Sequence, residues 1–258
     1  MKASTTEGLV RADRQHDEIS PAVTGLAAAW VAPTATWRQR QRFRETARAL
    51  VRLPEPQEEP LEVLLAEADW RRLVPPVEAA ETVLAALSQD TGIYFFPSRE
   101  WVKRFCRLVH LLKIRRVLEA GAGRGYLAAA LAPCLGRQGV AFLAVDNGQA
   151  EFASGLPRHP VVQAASALDA VHALQPELVL YAWPPPGQSI GPLLAGPGVR
   201  YVLVVGERHG GCTGDPADWQ NFPQREMHTL SRLGLGRSGR RCQAATLFCR
   251  AEAEGTAG

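Results

Sequence analysis

Three stretches of the chain carry residue types whose spacing suits chemistry. The first is "VLEAGAGRGYL", where a strand ends at Glu119 and glycines follow at 121, 123 and 125 before a helix predicted to start near Tyr126. Glycines at such a turn permit positive φ and let a ligand lie against bare backbone, while the first N–H groups of the helix have no intrahelical partner. A dinucleotide fold uses G-x-G-x-x-G, which would require glycine at position 126; the spacing here is E-x-G-x-G-x-G. A carboxylate two residues before the first glycine would repel a pyrophosphate and attract an ammonium group, which favours a cofactor with an amino-acid end. Asp146 closes "VAFLAVD" downstream, where an acid at the end of a second strand accepts hydrogen bonds from both ribose hydroxyls. That acid alone does not separate NAD from an amino-acid nucleoside; the glycine spacing does. Asn147 and the turn "AASA" containing Ser166 would flank an adenine.

The second stretch is "LVLYAWPPPG", an apolar strand stopped by Trp183 and three prolines, which have no N–H to donate to a sheet. Indole N–H is a donor only and no ligand for magnesium, so Trp183 suits a ring wall for a planar or cationic group, a contact of order 0.5–2 kcal/mol, or core packing. The third stretch, "VVGERHGGCTGDPADWQNF", places Glu207, His209, Cys212, Thr213, Asp215 and Asp218 on a glycine-rich loop. His209 has the reference pKa, ~6.5, that suits proton removal near neutrality, and Glu207 or Asp215 would orient its ring. The bland reading of the loop is a structural turn capping the next helix.

These stretches need elements to hold them. From Ser98 onward short apolar runs alternate with helical patterns, and strands that are apolar throughout are buried on both faces, which describes a parallel sheet between helices. Two strand-like stretches, "EMHTLSRL" and "CQAATLFCR", predict a closing antiparallel hairpin. "SREWVKRFCRLVHLL" opens at an N-cap, Ser98, and sets Trp101, Phe105, Leu108, Val109 and Leu112 on one face. Upstream, "ATWRQRQRFRETARALVRL", "LEVLLAEADWRRL" and "PPVEAAETVLAALSQ" predict three helices. The stripe Arg40, Arg44, Arg48 and Arg52 is expected to pair with the acidic run Glu55, Glu58, Glu59 and Glu62. "TGIYFFPSREW" offers Tyr94, Phe95, Phe96 and Ser98 as a lid over the pocket or as packing against the N-terminal helices.

The bulk properties fit this organisation. With 258 residues, 46% hydrophobic and 21% charged, the chain can bury a large α/β core, and a net charge of +3 does not imply a nucleic-acid partner. Its five cysteines form no C-x-x-C pair, so neither a zinc site nor a disulfide framework is indicated. No apolar run approaches ~18 residues and the first residues lack a signal-peptide core, which predicts a cytoplasmic protein without a membrane partner.

From about residue 92 to 250 the chain resembles the class I S-adenosylmethionine-dependent methyltransferases, on "LEAGAGRG", "LAVD", "LVLYAWPPP" and the closing hairpin in their order. "WPP" with "GGCTGD" is also similar to an uncharacterised methyltransferase-like group. The resemblance implies a Rossmann-like sheet of seven strands, the last antiparallel, behind an N-terminal helical region. The resemblance marks a cofactor-binding domain over 92–250; the polar, aperiodic start predicts a disordered tail over 1–20, the helical patterning a cap over 21–91, and a flexible tail is expected over 251–258. The resemblance implies S-adenosyl-L-methionine as cofactor and S-adenosyl-L-homocysteine as product. Glu119 and the backbone of Gly121, Ala122, Gly123 and Gly125 would hold the methionine portion, and Asp146, Asn147 and Ser166 the nucleoside. Tyr94, Phe96, Ser98, Trp183 and Pro184 would line the pocket of a small-molecule or peptidic acceptor. Family members that methylate amino nitrogens carry Asn or Asp before the prolines, and Trp183 departs from that pattern. The departure leaves a catalytically silent cofactor-binding or interaction protein as the alternative, with an NAD-linked oxidoreductase behind both.

Overall fold

The computed structural model describes residues 35–74, 80–148, 156–207, 211–231 and 243–250. Both expected tails, 1–20 and 251–258, lie outside these residues. Five helices come first: α1 (Trp37–Leu50), α2 (Pro60–Val63), α3 (Glu67–Leu73), α4 (Ala80–Thr91) and α5 (Arg99–Leu111). There follow β1 (Arg116–Ala120), α6 (Tyr126–Gly136), β2 (Ala141–Asp146), β3 (Val162–Ala164), α7 (Ala167–Leu174), β4 (Leu178–Ala182) and α8 (Gly191–Leu194). The chain ends with β5 (Tyr201–Glu207), α9 (Asp218–Asn221), β6 (Gln224–Glu226), α10 (His228–Ser231) and β7 (Gln243–Cys249).

The seven strands form one sheet in the order β3-β2-β1-β4-β5-β7-β6. Strands β1 to β5 pair in parallel, and β7 runs antiparallel to both neighbours, β5 and β6. This is the Rossmann-like class I methyltransferase sheet that the resemblance implies. Its strand order reverses between β1 and β4, which opens a crevice at their carboxyl ends. Both edge strands are three residues long, which leaves little unpaired backbone to template aggregation.

Alternation along each strand feeds two apolar layers. Val117, Leu178, Leu180, Leu203, Val205 and Leu247 face the N-terminal helices, in one cluster with Phe43, Trp70, Trp101 and Phe105. Leu118, Val145, Val179, Val202, Val204 and Phe248 face α7 and α8. Ser98 caps α5 by accepting from the Trp101 N–H at 3.1 Å, and Trp101, Phe105 and Val109 of its apolar stripe are fully buried.

Three expectations are corrected. The helix predicted across "LEVLLAEADWRRL" is broken: Leu64 and Ala66 are extended, because the Leu65 carbonyl accepts from Arg99 N–H (3.0 Å) and Glu100 accepts from Glu67 N–H (2.8 Å). Tertiary bonds to α5 thus outweigh local helix propensity. The first strand of the closing hairpin lies earlier than "EMHTLSRL": β6 is Gln224–Glu226, and residues 228–231 coil into a helical turn that buries Leu230 and lets Ser231 Oγ accept from Ala245 N–H at 3.0 Å. In the arginine stripe, Arg52 pairs with Glu58 as expected, whereas Arg44 and Arg48 pair with Asp90 of α4, fastening α1 to α4.

Candidate functional site

The glycine loop sits at the mouth of the β1/β4 crevice. Gly121, Gly123 and Gly125 have φ of +62°, +55° and +85°, so all three occupy the left-handed region where a side chain is strained. They differ in what surrounds them. A Cβ on Gly121 would lie 2.8 Å from Tyr181 Cε2, and one on Gly125 2.6 Å from Val162 Cγ2, so both are glycine for close packing as well as for φ. A Cβ on Gly123 would meet nothing within 4 Å. The loop backbone is bare and open at Gly123.

Asp146 holds the loop in place. Its Oδ2 accepts from Gly123 N–H and its Oδ1 from Gly148 N–H, both at 2.8 Å, and the Arg158 guanidinium donates to Oδ1 at 3.1 Å. Ala122 N–H donates to Val145 O at 3.0 Å, so the loop continues from β1 against the end of β2. Tyr181 lies close enough to Asp146 to feel its charge, and burial with that charge pushes its phenol up to about 12. Arg124 donates from Nε to Pro157 O at 2.9 Å and from Nη1 to Thr91 O, tying the glycine loop both to the end of α4 and to the segment before β3. Arg124, Arg158 and Tyr181 had no sequence signal: their partners lie more than ten residues away, on other elements.

Glu119 alternates onto the face of β1 that meets the N-terminal helices. It is 2% exposed, and burial pushes its carboxyl up to about 8. Its Oε2 has no hydrogen-bond partner among the described residues. An orphaned buried carboxylate oxygen is costly unless something pairs with it. Across the crevice, Trp183 has φ +54°, a left-handed backbone for a bulky residue that costs of order 1–3 kcal/mol. The turn arises because Trp183 N–H still pairs with Val205 O (2.7 Å) while the prolines leave the sheet. The indole is half-buried against the core, and its Nε1 is buried without a partner among the described residues.

The prolines and the loop after β5 are zipped together. Gly214 N–H donates to Pro184 O and Gly187 N–H to Gly214 O, each at 2.9 Å. Asp218, 3% exposed, accepts from Ser189 Oγ (2.7 Å) and Ile190 N–H (2.8 Å), fastening the same two segments lower down. Thr213 is fully buried and accepts from Glu207 N–H, and Glu207 Oε2 accepts from Cys212 N–H at 2.7 Å. Asp215 accepts from Ala217 N–H in a local turn. Glu207 and Asp215 therefore both hold this loop's own backbone. His209 lies outside the described residues.

Of the lid residues, Phe95 and Phe96 are buried, Phe95 edge-on to Trp101 at 4.9 Å and Phe96 beside Trp70 at 5.4 Å, while Ser98 is the α5 cap. Phe96 thus packs against Trp70 and Ser98 caps α5, while Tyr94 is 38% exposed. Ser166 likewise caps α7, accepting from Leu168 and Asp169 N–H, and Asn147 is exposed beside Asp146.

No protein-family model matches the chain, and no curated protein matches it. Among solved structures the chain is similar to the CMeT domain of the citrinin polyketide synthase, at 12% identity and a TM-score of 0.40 over 86% of this chain and 71% of that one. It is similar to human N-acetylserotonin methyltransferase in complex with SAM, at 13% identity and 0.34 over 91% and 72%. It is also similar to cofactor-bound Rv0187 from MTB, at 18% identity and 0.40 over 76% and 99%. The fold assignment rests on the strand order and on β7. No helix among the described residues is long and apolar enough to cross a membrane, and no cluster of His, Cys, Asp or Glu among them suits a metal ion.

Proposed function

We propose that the chain binds S-adenosyl-L-methionine over its glycine loop and transfers a methyl group to a small-molecule or peptidic acceptor, releasing S-adenosyl-L-homocysteine. The observations that carry the reading lie on one short segment: Glu119, whose buried Oε2 has no partner among the described residues, stands near the end of β1, just before the open left-handed glycine, Gly123, that is bonded to the acid ending β2. A ligand with an ammonium group would relieve Glu119, the backbone of Gly121, Ala122 and Gly123 would hold its chain with the open room at Gly123, and Asp146 suits a ribose. Asn147 lies where an adenine would be flanked, with Ser166 contributing the capped start of α7. The cofactor, when bound, supplies a methyl group already activated on a sulfonium, so the residues have to position and desolvate more than they have to exchange protons.

On this reading Trp183, Pro184 and Tyr94 wall the acceptor, and His209 takes a proton from an acceptor that carries one, with Glu207 or Asp215 to orient its ring. The cofactor-binding unit spans 92–250, with residues 21–91 as its cap. Incubation with methyl-labelled cofactor and a metabolite or peptide pool, followed by mass spectrometry, should yield a product heavier by one methylene. His209→Gln should slow its formation at least tenfold with cofactor affinity unchanged; an equal rate removes His209 as the base.

One observation favours a second reading, a cofactor-binding protein that transfers nothing: Trp183 stands where an acceptor-orienting carbonyl would, and its buried N–H cannot take that part. Tight cofactor binding with no methylated product across a broad pool would support that reading over the first.

A further inference from the structure

The modest net charge hides an uneven surface. Residues 103–116 carry six cations, Lys103, Arg104, Arg107, Lys113, Arg115 and Arg116, and no Asp or Glu stands between positions 101 and 118. On α5 the buried stripe of Trp101, Phe105 and Val109 turns Lys103, Arg107 and His110 outward at i, i+4 and i+7; all three are exposed, and Leu111 beside them is 64% exposed. This line of cations is about 10 Å long and runs through exposed Lys113 into Arg115 and Arg116, where β1 begins. There it meets a second row. Glu177 N–H donates to Arg116 O, Arg200 N–H to Glu177 O and Arg250 N–H to Arg200 O, each at 3.0 Å. Exposed Arg116, Arg200 and Arg250 therefore stand in line along one edge of the sheet, over roughly 14 Å at the usual strand spacing.

None of the six cations of 103–116 has an ion pair or a side-chain hydrogen bond among the described residues, whereas Arg44, Arg48, Arg52, Arg71 and Arg99 each reach a carboxylate. Glu177, the acid inside the row, spends its Oε2 on the N–H groups of Arg115 (2.5 Å) and Arg116 (3.1 Å). Like charges held together repel, and a polyanion relieves them while releasing its own counterions. We propose that this face grips the phosphate backbone of duplex RNA without reading its sequence. Its guanidinium groups match phosphate oxygens in geometry. The face has no exposed Phe, Tyr or Trp among the described residues on which an unpaired base could stack, since half-buried Tyr201 lies under the Arg200 guanidinium at 5.1 Å. The apolar stripe of α5 is buried along its length, so the helix offers its side. A flat basic side suits the wide, shallow minor groove of an A-form duplex, whereas B-DNA is read by an element inserted into its major groove. The cofactor crevice opens at the carboxyl ends of the strands whose amino ends carry this row, so neither surface blocks the other.

The test is fluorescence anisotropy of the full chain with labelled RNA duplexes of roughly 16 bp and unrelated sequences, from about 50 mM salt upward, beside duplex DNA, single-stranded RNA and polyglutamate. The expected result is binding to every RNA duplex alike, ahead of the other three probes, with affinity falling linearly in log–log form as salt rises. Lys103→Gln with Arg107→Gln should weaken binding about tenfold or more and lower the salt slope by about two, at an unchanged melting temperature. Arg115→Gln with Arg116→Gln should do the same where the line meets the row, and decides the matter where the α5 pair fails to fold. Arg38→Gln with Arg42→Gln removes as much charge from exposed positions on α1 and should change affinity by about twofold or less. No binding at the lowest salt, an equal loss from the α1 pair, or duplex DNA, single-stranded RNA or polyglutamate bound as tightly as duplex RNA would overturn the proposal. Cofactor enters no arm of the test, so its outcome is separate from that of the methyl-transfer reading.

Discussion

Gly123 and Gly125 share a left-handed backbone and differ in what a methyl group would strike, so alanine at each should fail in a different way. Gly123→Ala meets open space and should cost about 1 kcal/mol of stability, from backbone conformation alone, while lowering cofactor affinity at least tenfold. Gly125→Ala drives into Val162 and should destabilise by about 1–3 kcal/mol more, as urea unfolding of the two variants would show. Glu119 makes a pH-dependent prediction. Its carboxyl, raised from 4.5 to about 8 by burial, keeps in the folded protein a proton that the unfolded chain releases. Its contribution to stability is therefore complete below pH 4.5 and is lost as pH rises through about 8. Glu119→Gln should flatten that part of the stability profile. An ammonium set beside Glu119 would drive its proton off, so binding near neutrality should release a proton in the native protein and none from Glu119→Gln, measured by calorimetry in buffers of different ionisation enthalpy. These residues were legible in the sequence because positive φ demands glycine and a carboxylate before a glycine run is conspicuous. Arg124, Arg158 and Tyr181 were not, since each matters through a partner that only the fold brings near.

At the scale of elements, the proline turn after β4 and the glycine-rich loop after β5 form a single structure through Gly214 and Asp218. Asp218→Ala removes the acceptor from a buried Ile190 N–H and from Ser189, and should cost about 1–3 kcal/mol; Asp218→Asn, which keeps one oxygen, should cost less. Ser98→Ala separates cap from pocket: loss of the α5 cap should cost about 1 kcal/mol and leave cofactor affinity unchanged, as matched unfolding and binding curves would report. The sequence patterns located α1, α5, α6 and the parallel strands, because each carries its own periodicity and stop signal. They misread residues 61–73 and 228–231, where the decisive hydrogen bonds come from α5 and β7. The polar character of the loop after β5 pointed to chemistry, yet Glu207, Thr213 and Asp218 spend their side chains on holding backbone.

For the whole molecule, one apolar layer joins the N-terminal helices to the sheet, and Arg124 links the end of α4 to the glycine loop, so occupancy of the crevice should be felt throughout the fold. The alternating strand and helix patterns made a parallel sheet between helices readable, whereas the reversal of strand order that places the crevice is set by pairing between strands distant in sequence. A ligand at a hundredfold excess over its dissociation constant should stabilise the folded chain by about 2.7 kcal/mol, a rise in melting temperature of roughly 5–10 °C at this size. The most direct test is titration calorimetry of the full chain with S-adenosyl-L-homocysteine, with NAD⁺ as control and Gly123→Ala beside the native protein. The account predicts saturable one-to-one binding that NAD⁺ does not compete for and that Gly123→Ala weakens at least tenfold; no binding of S-adenosyl-L-homocysteine, or competition by NAD⁺, would contradict it.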